Sequence, residues 1–264
     1  MAEPTQYVQV TRDGRIAFLV LNRPEALNAF GIDMADELWR RLVDIARDDQ
    51  IGVLVITGAG RAFCAGGDLN WVSRHSVGAA SGFHELAARF HAVILEIRHM
   101  QKPVIAAVNG VAAGGGFTLA LACDFRVMAR DAVLRQAYTS SGLSIDGGGS
   151  FMLPRVVGPA RALEILAFDE PIPADKALDW GLVNFVVSPD GLRPDSLGLA
   201  ARLMDRSLSS FAWSKRLLNE SFHTSLEAQL EREREALTMC AGAPDGREGL
   251  RAFIEKQKPR FGGA

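Results

Sequence analysis

The sequence predicts an α/β core followed by a helical C-terminal part, and three observations carry that prediction. Apolar runs of strand length recur between glycine-rich turns, helical periodicities alternate with them, and after about residue 190 only helical stretches of mixed charge remain. Strands alternating with helices, in strand–strand–helix or strand–helix units, build an α/β architecture.

Taken in order, Tyr7 to Val10 and Ile16 to Leu21 are short apolar runs joined by Arg12-Asp13-Gly14-Arg15, which predicts a hairpin. Residues 33 to 48 place Met34, Leu38, Leu42 and Ile45 on one helical face. Val53 to Thr57 is a continuous apolar run, which suits a strand covered on both faces. Residues 82 to 100 return to helical spacing through Phe83, Leu86, Phe90, Ile94 and Ile97. Pro103 to Val108 and Asp124 to Ala129 read as further buried strands. Four helical stretches follow, at Leu192 to Leu208, Ser210 to Phe222, Leu226 to Thr238 and Gly246 to Lys258. No linker rich in Gly, Pro and Ser precedes them, so the expected division is a core over 1–190 and a helical subdomain over 191–264.

Of the 264 residues, 48% are hydrophobic and 23% charged, an ordinary composition for a chain with a sizeable core. The 29 Lys and Arg against 31 Asp and Glu leave a net charge of -2, which gives no reason to expect nucleic acid or an anionic membrane as partner. Cys64, Cys123 and Cys240 show no paired spacing, and the N-terminal residues lack a basic segment followed by an apolar run. A reducing, cytoplasmic setting is expected, without a disulfide framework or metal site. Residues 103 to 123 carry no charge, but Pro103, Asn109 and Gly114 to Gly116 interrupt them. They read as a buried strand, a turn and a buried helix rather than a membrane span.

Two glycine-rich turns each follow a predicted strand, Arg61 to Leu69 (RAFCAGGDL) and Asn109 to Phe117 (NGVAAGGGF). Glycine lets the backbone turn sharply and bring an N–H close to a ligand, and free N–H groups at a helix start face one point. Two such groups converging on one oxygen would stabilise an oxyanion. Tight connections with close helix packing explain either turn alone equally well. A third segment, Gly142 to Ser150 (GLSIDGGGS), sets Asp146 among small and apolar residues. Desolvation by Leu143, Ile145 and Phe151 would raise its pKa and suit it to carry a proton. Capping of a helix that starts near Gly147 is the competing role.

Together these segments resemble the enoyl-CoA hydratase/isomerase (crotonase) superfamily, over nearly the whole chain. The likeness is carried by LNRPEALNAF (Leu21 to Phe30), ITGAGRAFCAGGDL (Ile56 to Leu69) and KPVIAAVNGVAAGGGFTLALACD (Lys102 to Asp124), with LPRVVGPARALEIL (Leu153 to Leu166), ADKALDWGLVN (Ala174 to Asn184) and EGLRAFIEKQKPRF (Glu248 to Phe261). The resemblance implies a crotonase-like spiral of ββα units with a C-terminal helical trimerisation region, assembled as a homotrimer or as paired trimers in a homohexamer. It implies an oxyanion hole from the backbone N–H groups of Gly67 and Gly115. It also implies CoA contacts along Glu25, Ala26, Leu27, Ala65, Asp68 and Leu69, with Phe253 and Lys256 at the nucleotide end. CoA enters as part of an acyl-CoA substrate, and no metal or organic cofactor is implied.

The departures from the family pattern are as informative. Hydratases of this family flank a water with two glutamates, where this chain has Thr118 and Tyr138. Neither is a good base near neutral pH, and hydration needs both an activated water and a proton for carbon. Asp146 matches an acidic position used by dienoyl-CoA isomerases and by ring-opened phenylacetyl-CoA (oxepin-type) isomerases, where it shuttles a proton. In aryl-CoA dehalogenases, which also carry a helix-borne His, it is the nucleophile. The expected reaction is therefore isomerisation of a double bond in an unsaturated acyl-CoA, with Asp146 moving the proton. Hydration, another enolate-dependent reaction such as dehalogenation or thioester hydrolysis, and a non-catalytic acyl-CoA or RNA-binding role are the alternatives. Trp71, Phe83, Phe117, Tyr138, Leu143 and Ile145 are the expected acyl-pocket residues. His84 and His91 read as helix-face residues.

Overall fold

The computed structural model describes residues 6–262. Strands β1 (Val8–Asp13) and β2 (Ile16–Leu21) form the predicted antiparallel hairpin, in register from Val8 opposite Leu21 to Asp13 opposite Ile16. Helix α1 (Ile32–Arg47) buries Met34, Ala35, Leu38, Leu42 and Ile45, the stripe that its sequence marks.

A unit of two strands and one or two helices then repeats. Strands β3 (Val53–Gly58) and β4 (Ala62–Cys64) lead into α2 (Leu69–Ser73) and α3 (Ala79–His99). Next come β5 (Val104–Val108), β6 (Val111–Ala113) and α4 (Gly115–Ala122). The third unit has β7 (Phe125–Ala129), β8 (Val133–Arg135), α5 (Gly149–Val157) and α6 (Pro159–Phe168). Strand β9 (Ile172–Pro173), α7 (Ala174–Asp179) and β10 (Phe185–Val187) close the core, before α8 (Leu192–Met204), α9 (Leu208–Ser221), α10 (Leu226–Gly242) and α11 (Pro244–Ile254).

The first strand of each unit joins a six-stranded sheet of order β1-β2-β3-β5-β7-β10, parallel in every pairing after the hairpin. The second strand joins a four-stranded sheet of order β4-β6-β8-β9. Splitting each unit between two sheets produces the spiral. Every residue of β5 is buried, as expected of a strand covered on both faces. All eight residues of α4 are buried too. The uncharged 103–123 stretch is thus two strands joined by a turn, followed by a core helix, the second strand being additional to the sequence reading, and no helix of the described residues is long and apolar enough to cross a membrane.

The second sheet is absent from the sequence reading. Its strands are two or three residues long, too short to display an alternation of their own. The helical tail agrees with expectation to within four residues at every end, the largest differences being at the C-terminal ends of α8, α10 and α11. It is not an isolated body: α8 packs on β3, β5 and β7. Lys215 on α9 reaches into the core, where its Nζ donates to Asp124 Oδ2 at 2.8 Å and to the Ile97 carbonyl at 2.9 Å.

Candidate active site

The two glycine turns stand side by side at the ends of β4 and β6, and Asn28 and Asn109 hold the first of them in place. The buried Asn28 amide donates to the carbonyls of Ala59, Ala62 and Phe63, at 3.0, 2.8 and 3.2 Å. The Asn109 amide donates to Gly60 and Ala62 while its oxygen accepts from Gly58 N–H. These bonds satisfy backbone groups at the turn between β3 and β4.

Close approach explains the glycines. A Cβ on Gly116 would fall 1.9 Å from the Cys64 carbonyl, so only glycine lets α4 start against β4. Gly66 has φ +97°, and a Cβ on it would lie 2.9 Å from Gly115 N. Phe30 N–H donates to Gly66 O and Asp68 N–H donates to Phe30 O, both at 2.9 Å, so the chain on either side of Gly67 is pinned. Among the described residues, neither Gly67 N–H nor Gly115 N–H donates a hydrogen bond. Gly115 is also the first residue of α4, whose opening N–H groups have no partner within the helix. Two unsatisfied donors on neighbouring turns form a ready cradle for a negatively charged oxygen.

Phe30, Phe90 and Thr118 link this cradle to the acidic loop. Phe30 stacks on Phe90 with ring centroids 4.5 Å apart, and its ring covers Gly115. Gly147, the residue after Asp146, packs against the Phe90 ring and the Thr118 hydroxyl, which would lie 2.4 and 2.5 Å from a Cβ there. The Tyr138 phenol faces the Thr118 hydroxyl and the Asp146 backbone. Burial, reinforced by the Asp146 charge, pushes the Tyr138 hydroxyl well above its ordinary pKa, so it remains a neutral donor. Cys64 beneath the cradle is pushed up to about 12 by burial, which leaves it an inert thiol.

Asp146 itself departs from expectation. Its side chain is 37% exposed rather than desolvated by Leu143, Ile145 and Phe151, because the 142–148 loop turns it outward. It does not cap α5 either: the N-cap is Gly148, and only the Asp146 backbone carbonyl accepts a bond there, from Gly149 N–H at 3.1 Å. The partner of its carboxylate is His91 on α3, whose Nε2 lies 2.6 Å from Oδ1. His91, read from sequence as a helix-face residue, is thus a member of the site. Its 3.6-residue spacing alone gives it no partner, since the contact spans 55 residues of chain.

Several expected CoA contacts lie together. Ala26 ends a short 3-10 turn, Leu27 follows it in a left-handed conformation, and Ala65 N–H donates to Leu27 O at 2.9 Å. Asp68 is occupied by the fold: its Oδ1 caps α2 by accepting from Asn70 and Trp71 N–H, and Arg23 bonds its Oδ2 at 2.7 Å. Burial alone would raise its pKa, but Arg23 and the two N–H groups outweigh burial and hold it below the ordinary value. A cavity of about 570 Å³ opens here, lined by Arg23, Asp68, Asn70, Trp71, Arg74 and His75. Arg74 and the Asp68-paired Arg23 thus line this cavity, and neither is part of the sequence reading. Leu69 is exposed beside this cavity, and Leu143 is tied by its N–H to Tyr138 O at 2.9 Å. Phe117 is wholly enclosed in the core. Phe253 and Lys256 sit at the end of α11, which packs on α10, and they are not among the residues gathered here.

The sequence pattern of the enoyl-CoA hydratase/isomerase family matches residues 11–264. The chain belongs to that family. The 1,2-epoxyphenylacetyl-CoA isomerase of Escherichia coli K12 is 39% identical over 93% of this chain and 94% of that protein. The crotonyl-CoA hydratase of Syntrophomonas wolfei is 37% identical over 95% of each. The crystal structure of an enoyl-CoA hydratase from Polaromonas sp. JS666 superimposes with a TM-score of 0.91 at 38% identity, covering 96% of this chain and 99% of that one. The enoyl-CoA hydratase/isomerase family thus accounts for the acyl-CoA chemistry of this chain and for its fold. Relatives named as isomerase and as hydratase stand almost level, so the reaction has to be argued from the site residues.

Proposed function

We propose that this chain isomerises a double bond in an unsaturated acyl-CoA thioester, with Asp146 as the single proton carrier. The observation that carries this reading is the site's composition. Two unsatisfied N–H groups, from Gly67 and Gly115, adjoin a loop with one carboxylate, while Thr118 and Tyr138 stand where a hydratase of this family needs acids. The thioester carbonyl binds the two N–H groups. Asp146 takes a proton from carbon, the C–H electron pair enters a dienolate held by the oxyanion hole, and the proton returns at a different carbon. Relocating a proton needs one carboxylate, whereas adding water needs a base for water and an acid for carbon. Removing one oxyanion donor of this kind costs about 2.7–4 kcal/mol of barrier, so the two N–H groups are a major source of acceleration for such a step.

The same reading seats the CoA phosphates by Arg23 and Arg74, in the cavity beside Trp71. It also includes assembly into trimers or hexamers. Leu226, Leu237, Phe253 and Ile254 on the C-terminal helices are 69 to 82% exposed, and such a concentration of apolar surface suits burial between subunits.

The test compares wild type with Asp146→Ala on 3-enoyl-CoA, 2-enoyl-CoA and an aryl-acetyl-CoA-derived substrate, scoring isomerised and hydrated products separately. The expected result is isomerisation by wild type and a loss of about a hundredfold or more in the variant, with thioester binding intact. Equal rates for the two proteins, or hydration as the main product, would overturn the proposal.

A further inference from the structure

We propose that a second cavity, beside the acidic loop and separate from the oxyanion cradle, binds a free medium-chain carboxylate, with Arg98 taking its charged end. This inference does not depend on which reaction the chain catalyses.

The cavity has a volume of about 890 Å³, within the range of small-molecule sites, and lies between α3, the start of α5, and α9. Ile94, Leu95, Phe151, Met152 and Trp213 give it apolar walls. Neither cradle glycine lines it, and neither do Thr118, Tyr138, His91 and Asp146. The partition is the backbone of the acidic loop. Gly148, two residues after Asp146, faces the cavity between Met152 and Ile94, whose side chains would lie 3.3 and 3.7 Å from a Cβ there. The cradle and this cavity are separate spaces that share one wall.

Charge defines the occupant. Arg98, Lys215, Arg216 and Arg232 line the cavity, with Glu220 as the lone acid. Glu220 is shared between Arg216 at 3.0 Å and Arg232 at 3.2 Å, and Lys215 is occupied by Asp124 at 2.8 Å. Arg98 is left over. Among the described residues it has no carboxylate within ion-pair distance, and its guanidinium bonds only the Asn219 side chain and, at 3.5 Å, the Ala122 carbonyl. The Asn219 amide donates in turn to the Arg98 carbonyl at 2.9 Å, which holds the two residues together. Burial lowers the Lys215 pKa, and the Arg98 charge acts in the same direction, so an anion beside Arg98 relieves a repulsion that the fold leaves in place. A guanidinium receives a carboxylate through two parallel N–H bonds. One uncompensated cation matches a single negative charge, which favours a carboxylate over a phosphate dianion. The apolar walls gain by covering a hydrocarbon chain. A fatty acid supplies both parts.

The experiment titrates octanoate calorimetrically into the full chain at saturating octanoyl-CoA, which closes the thioester site to the free acid and has no double bond to be moved. The expected result is one octanoate bound per chain, with thermal unfolding shifted upward as octanoate is added. The neutral 1-octanol should bind about tenfold more weakly or worse, the factor that follows loss of a hydrogen bond to a charged group. Arg98→Gln should weaken octanoate by a similar factor. Ala212→Trp is the second variant: it fills the cavity from α9, leaves Arg98 in place, and should abolish octanoate binding while octanoyl-CoA still binds. Octanoyl-CoA binding and thermal unfolding identify which variants are folded. No octanoate binding at saturating thioester would overturn the proposal, because the acid would then share the thioester site. Wild-type octanoate affinity in a folded Arg98→Gln or Ala212→Trp protein would overturn it as well. Inorganic phosphate binding as tightly as octanoate would show an anion site with no use for the apolar walls, which also overturns it.

Discussion

Replacing Gly66 by alanine tests whether the two glycine turns form one oxyanion-binding unit. Gly66 has φ +97°, and a Cβ there would meet two backbone atoms, Ala113 O and Gly115 N, each at 2.9 Å. Holding an L residue in so sparsely populated a region costs about 1–3 kcal/mol. Backbone on both sides has no rotamer by which to move away, so relief of the contact requires Gly115 N to shift by a few tenths of an ångström. Gly78 is the matched control: its φ is +101°, but a Cβ there meets nothing within 4 Å. Gly78→Ala therefore carries the strain without the contact. Domains of this kind have about 5–15 kcal/mol of stability, enough for both variants to fold. Misplacing one oxyanion donor costs about 2.7–4 kcal/mol of barrier, or about a hundredfold to a thousandfold in kcat. The assay is kcat and thioester affinity on a substrate that wild type turns over, with unfolding monitored in parallel. Gly78→Ala should lose stability but keep kcat within about threefold, a difference of well under 1 kcal/mol. Gly66→Ala should lose kcat a hundredfold or more and still bind the thioester. A folded Gly66→Ala protein with the kcat of Gly78→Ala would refute the reasoning that Gly66 sets the position of the Gly115 donor.

Further predictions concern the scaffold. Lys215 and Asp124 are a nearly enclosed pair, with side chains 5% and 10% exposed, and burial acts on each against its charged form. Lys215→Met removes one partner and leaves Asp124 without its counter-charge, so a loss of about 3–5 kcal/mol is expected in urea unfolding. A loss below about 1 kcal/mol would mean that the pair does not tie α9 to the sheet. Asp68 has a folded-state pKa below its ordinary value of 3.8. Its contribution to stability is therefore complete above that value and is lost as pH falls through the lower folded value. Thermal unfolding between about pH 5 and pH 2 should show Asp68→Asn with a flatter acid limb than wild type. Parallel limbs would show that the Arg23 contact does not hold the Asp68 charge.

The chain illustrates which features are local. The hairpin, α1, the strands β3 and β5 and the four C-terminal helices follow from periodicity within ten to twenty residues, and they are where the sequence places them. The small sheet escapes because a three-residue strand such as Val111–Ala113 has no period to detect and exists only by pairing with Ala62–Cys64 and Val133–Arg135. The glycine turns are legible as turns, but Gly67 and Gly115 become neighbours only when β4 and β6 pair in the second sheet.

The sequence by itself determined the family, the acyl-CoA substrate class and the absence of acids at positions 118 and 138, because these depend on which residues are present and in what order. Tertiary structure alone decided the surroundings of Asp146. From sequence, its apolar neighbours imply a desolvated acid, whereas in the fold it is partly exposed and bonded to His91, 55 residues away. The physical reason is that solvation and hydrogen bonding depend on what other elements bring to a residue. Nothing in the residues flanking Asp146 encodes that α3 will set an imidazole against it.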